Sequence, residues 1–159
     1  MKKIIPIIVI FFSIFIQGCP PPSYGLYRYH NIQTTEVPIL CIENTIKSVA
    51  DVTYHGHEQK DGGRTLTLSG LLPPDQVHRF TYSYKNKNNS ITIVNRTDNG
   101  LQYHHTATSS NKEQANLRVS TFIQVINEID SKIESNCSFK GLTNEASFSC
   151  DVEACNGSI

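Results

Sequence analysis

The chain has 159 residues, 38% apolar and 18% charged, which suits one small domain with a short N-terminal extension and leaves no case for two domains. Its formal charge is zero, and setting Lys2 and Lys3 aside leaves 12 basic against 14 acidic side chains. With no basic stripe and no internal repeat, that balance argues against nucleic acid as a partner.

Lys2 and Lys3 precede Ile4 to Ile16, which is apolar throughout except for Pro6 and Ser13, a signal-peptide profile. At about 13 residues the run is shorter than the roughly 20 that a membrane-spanning helix needs. Ile16, Gln17, Gly18 and Cys19 follow, and this boundary resembles the lipobox of bacterial lipoproteins. The resemblance covers residues 1–19 only. It implies a leader of residues 1–18, diacylglycerol on the Cys19 thiol, a further acyl chain such as palmitate on the new amino group, and a place in the bacterial cell envelope facing the periplasm or exterior. The membrane is then a partner through covalent lipid, and two or three acyl chains give stable anchoring where one does not. Pro20 to Pro22, Ser23 and Gly25 read as an extended tether, so residues 19–33 are expected to separate lipid from domain. Tyr24, Tyr27 and Tyr29 in that stretch would pack on the domain or rest at the headgroups.

Residues 34–159 are expected to form one α+β domain. Thr34 or Thr35, Glu36 and Pro38 have helix-start chemistry, and Ile39, Ile42, Ile46 and Val49 make a helical stripe over about 37–50. Five alternating segments follow: 52–57, 64–72, 77–85, 90–97 and 101–107, with turns at 59–63, 73–75, 86–89 and 98–100. Short connections imply an antiparallel meander. Period two puts Val52, Tyr54, Leu66, Leu68, Phe80, Tyr82, Tyr84, Ile91, Ile93, Leu101 and Tyr103 on one face, with Tyr84 opposite Ile91 and Tyr82 opposite Ile93. A second helix over 110–136, capped by Ser110 or Asn111, carries Val119, Phe122, Ile126, Ile129 and Ile133 as its stripe. The two helices and the one-sided sheet need each other as cover, which predicts a two-layer α+β fold with both helices on one face.

With Cys19 assigned to lipid, Cys41, Cys137, Cys150 and Cys155 remain, an even number in an exported chain. A tail hairpin placing Phe139 opposite Phe148 would oppose Cys137 and Cys150 and leave Cys41 for Cys155. Cys41 with Cys137 is the rival pairing.

No catalytic motif is present, and carboxylates such as Glu128 and Asp130 are spaced like solvated charges. His55 and His57 are expected on the same polar strand face, where they are weak candidates for metal ligands; His78 is expected to touch the core and His105 to sit at a fraying strand end. The polar face, with Thr53, His55, His57, Thr67, Thr81, Arg96 and His104, is the candidate interaction surface. These features point to a lipid-anchored, monomeric binding or assembly-support module without catalysis or cofactor, its partner an envelope protein or glycan. The alternatives are a metal-dependent envelope hydrolase using His55 and His57, and an anchored inhibitor of a foreign hydrolase presenting a loop at 85–89 or 59–63.

Overall fold

The computed structural model describes residues 22–32, 36–96, 100–139 and 147–155. The leader, Cys19, Thr34 and Thr35 lie outside them, as does the expected tail turn around Gly141. Along the chain come β1 (Tyr24–Ile32), α1 (Ile39–Lys47), β2 (Val52–Thr67), β3 (Gly70–Tyr84), β4 (Lys87–Arg96), β5 (Gly100–Ser109), α2 (Lys112–Cys137), β6 (Ser147–Cys150) and a short 3-10 turn (Glu153–Cys155).

The described strands form one open antiparallel sheet in the order β2-β3-β4-β5-β1-β6. β2 to β5 are the expected meander, rich in the Thr, Val, Ile and Tyr that fit a half-buried pleated surface. β1 was expected to be tether; instead Tyr24–Ile32 pairs along its whole length with β5. Its alternation is hidden because Arg28 and His30, as well as Leu26 and Ile32, point inward. At Gly25 the two strands approach so closely that an added Cβ would strike the Ala107 carbonyl, and its φ of +137° is one that side chains rarely adopt.

Both helices cover the same sheet face. α2 packs on β1 and β5, and α1 packs on β2 and α2. Asn111 caps α2, its Oδ1 accepting the Gln114 amide hydrogen at 3.0 Å. α1 begins after Pro38 without a side-chain cap. Between the layers, Phe80, Tyr82, Ile91, Ile93, Leu101 and Tyr103 from the sheet meet Ile42, Ile46, Val119, Phe122, Ile126, Ile129 and Ile133, all fully buried. Each such side chain contributes about 1.5–3 kcal/mol of burial free energy.

Three sequence expectations shift. The turn after β3 is Lys85–Asn86, both with positive φ (48° and 59°), as in the two-residue hairpin turns whose twist suits paired strands. Ile91 therefore faces Phe80 and Ile93 faces His78, while Tyr82 faces Asn89, whose amide donates to the Tyr82 hydroxyl at 3.0 Å. The stretches around Gln59–Gly63 and Pro73–Asp75 are strand. Register shifts between Asp61 and Leu66 absorb the glycines, and the prolines lie where β3 has only β2 beside it, since β4 pairing begins at Gln76. Beyond that point β2 and β3 project as a two-stranded ribbon, so Leu66 and Leu68 stand exposed instead of on the core face.

The disulfides are Cys41–Cys137 and Cys150–Cys155, not the hairpin-based set. Cys137 is the last residue of α2, where it meets α1, and β6 pairs with β1 (Leu26 opposite Cys150) in place of the segment after α2.

Candidate functional site

The sheet face away from the helices is polar. Its register builds two parallel rows. Tyr27, Thr106, Ser90, Thr81 and Gly56 are successive partners across β1, β5, β4, β3 and β2. One step along, Tyr29, His104, Thr92, Arg79 and Glu58 do the same. Tyr27 and Tyr29 are 41% and 40% exposed, and the Tyr29 ring stacks with His104 at 6.1 Å between centroids. A shallow recess of about 290 Å³ lies among Arg79, Thr81, Ser90, Thr106, Thr108 and Arg118. The guanidinium of Arg118 reaches from α2 to donate to the Thr108 and Asn88 carbonyls, both at 2.8 Å, closing one end.

Of the residues singled out in the sequence, Thr81 and His104 stand in these rows. Thr53 lines a second recess of about 400 Å³ with Asp51, Ser83, Lys85 and Asn86 at the sheet's lower end. Arg96 ends β4 opposite Gly100, and Thr67 is far out on the ribbon, where its hydroxyl donates to the Gly70 carbonyl at 2.8 Å. The face thus holds part of the expected set and adds Tyr27, Tyr29, Arg79, Ser90, Thr92 and Thr106. The tyrosines were the legible signal, recurring two apart, but they belong to the stretch taken as tether.

His55 and His57 do not share a face. A β-bulge between Tyr54 and Gly56 inserts His55 as an extra residue, and Gly56, at φ +153°, supplies the backbone freedom for it. Tyr54 faces Tyr82, yet His57 already faces Phe80. His55 Nε2 meets the Ser83 hydroxyl at 2.9 Å on the outer side. The His57 ring lies on the core side, 4.7 Å from the Phe80 centroid, with Nε2 3.1 Å from His78 Nδ1. One ion cannot be held by both His55 and His57. Among the described residues no cluster of three or more His, Cys, Asp or Glu could hold a metal ion.

No protein-family model matches the chain, and neither a curated protein nor a solved structure matches it. The site is therefore read from its own chemistry.

A second polar cluster lies between the layers. Asp130 is fully buried, and its Oδ1 accepts from the Tyr103 hydroxyl at 2.7 Å and from His105 Nε2 at 2.8 Å. Arg28 Nη1 stands 3.6 Å from Asp130 Oδ2 and donates to Asn127 Oδ1 at 2.6 Å. Burial, and then the Asp130 charge, push the Tyr103 phenol well above its usual pKa. His105, expected at a fraying end, is fully buried, and Asp130, expected in solvent, is its partner. The groups suit proton transfer, but α2 seals them beneath the sheet, so their effect is to lock α2 onto β5 and β1.

Three histidines titrate in a way that bears on stability. Burial lowers the pKa of His30, His78 and His104 below the usual 6.5, with Arg28 and His105 adding to the effect at His30, His57 at His78 and His105 at His104. Asp130 and Glu134 oppose it at His30. The unfolded chain binds more protons than the folded one once pH drops below about 6.5, so stability is complete above that pH and is lost as pH falls toward the folded-state values. Thermal melts are expected to give a lower Tm at pH 5 than at pH 7.5, with a shallower decline in His78→Gln. An equal decline in that variant would remove His78 as a source.

Proposed function

We propose that this chain is a lipid-anchored protein of the bacterial cell envelope that works, without catalysis, as a binding or assembly-support module. The observation that supports it best is the outer sheet face, where one row of hydroxyls and one of imidazole, hydroxyl and charged side chains each include an exposed tyrosine of β1. Such a surface offers many short donors and acceptors beside aromatic faces, which suits an envelope protein or a glycan chain. The lipobox-like residues Ile16 to Cys19 supply the address. That the acid–base groups Asp130, His105 and Tyr103 lie sealed in the core favours binding over chemistry. The projecting β2–β3 ribbon favours a second, alternative reading, an anchored inhibitor that enters a foreign hydrolase's cleft.

The test pairs fatty-acid labelling with crosslinking in the native envelope. Wild-type protein is expected to take up label and fractionate with membranes, and Cys19→Ala to lose the label and become extractable. A Cys19→Ala protein that stays membrane-bound at unchanged size overturns the anchor. Ser90→Lys with Thr106→Glu, an opposite-charge pair on directly opposed positions, is expected to abolish partner or glycan crosslinks without lowering Tm; unchanged crosslinks overturn the face.

A further inference from the structure

We propose that the tip of the β2–β3 ribbon is a docking finger that inserts leucine side chains into an apolar socket on a partner protein. Leu66 and Leu71 face each other across the ribbon, and Leu68 stands in the two-residue turn at its apex. Their exposures are 77%, 58% and 111%, so three leucines cluster in water at one projecting point. The apex is braced, because the Thr67 hydroxyl bonds both the Gly70 carbonyl and the Ser69 hydroxyl. A braced tip loses little freedom on docking.

Geometry and charge choose the occupant. Tyr24 pairs with Ser109 at one end of the sheet, the end that also holds Val52 and Tyr84. The tip lies at the other end, about 50 Å away along β2 at roughly 3.3 Å per residue. Five chain steps from Cys19 to Tyr24 span at most about 18 Å. This orientation rests on the proposed anchor, and it aims the leucines away from the end that the lipid would hold. Within residues 59–76 the charges are Lys60, Arg64, Asp61 and Asp75, which cancel, and there is no aromatic residue. A lipid-inserting tip is instead marked by excess Lys or Arg and by Trp or Phe. Strand addition is disfavoured too, because Pro73 and Pro74 remove backbone donors from the ribbon and its register is broken between Asp61 and Leu66. Side-chain insertion into a protein is what remains.

The test places a photo-crosslinking benzophenone amino acid at position 68 of the full chain in cells that naturally carry it, with position 124 on the exposed side of α2 as control. Ultraviolet light is expected to give, from position 68 only, one adduct with an envelope protein identified by mass spectrometry. Leu66→Ser with Leu71→Ser is expected to reduce its yield at least tenfold at unchanged Tm. Adducts with phospholipid or with a second copy, no adduct, or a yield indifferent to the serine substitutions overturn the proposal. Acyl labelling at Cys19 is scored in the same cells: a missing adduct with label intact overturns the tip alone, while an adduct without label upholds the tip and overturns the anchor.

Discussion

Replacing both members of the Cys41–Cys137 bridge with alanine is expected to lower unfolding free energy by about 4–5 kcal/mol, and Tm by on the order of 10–20 °C. The two cysteines are 96 residues apart, so the bridge closes a loop containing α1, the meander and α2. In the chain-entropy account the stabilisation grows with the logarithm of that loop. The bridge also joins the two helices where they meet, with Thr45 Oγ1 3.5 Å from the Cys137 sulfur. Cys150 and Cys155 are only 5 residues apart, and removing that bridge is expected to cost about 2 kcal/mol. Guanidinium unfolding of both double variants ranks them. Equal losses would show that loop length is not what sets the contribution here.

The cysteines also show where sequence reading succeeds and where it stops. Their even number after Cys19 was legible, but their pairing depended on whether residues 147–150 fold back on the end of α2 or join β1, a long-range choice that no local pattern encodes. The meander, the two helices and their apolar stripes were legible because period two and period 3.6 are local. Register was less so. The Lys85–Asn86 turn and the bulge at His55 each move the chain by residues that alternation cannot see, and the bulge alone separates His55 from His57. β1 was missed because Arg28 and His30 occupy inward positions where apolar residues were sought. The outer face was identified only in part for the same reason, since Tyr27 and Tyr29 come to it on β1.

Asp130 was misread although it sits in the α2 stripe, four residues after Ile126 and three before Ile133, and His105 shares strand parity with Leu101 and Tyr103. Two polar residues aligned with two apolar stripes are a pair waiting to meet, and the structure brings them to 2.8 Å. Asp130→Ala is therefore expected to destabilise the domain by about 3–5 kcal/mol, because it takes the shared acceptor from the buried Tyr103 hydroxyl and His105 Nε2 and the counter-charge from Arg28. Tyr103→Phe removes the hydroxyl's bonds to Asp130 and His105 and is expected to cost only about 1–2 kcal/mol. Replacing the group together, Asp130→Leu with His105→Leu, Tyr103→Phe and Arg28→Met, is expected to recover most of the Asp130→Ala loss, since apolar side chains of similar volume then leave neither a charge nor the Tyr103 hydroxyl unpaired. Urea unfolding of the three variants decides the matter. A loss below about 1 kcal/mol in Asp130→Ala would mean that water reaches the cluster and that the carboxylate is not holding α2 in place. The expected large loss, with recovery in the combined variant, would instead assign the cluster to fixing how α2 lies across β5 and β1. That contact keeps the helices on one face and leaves the other face open.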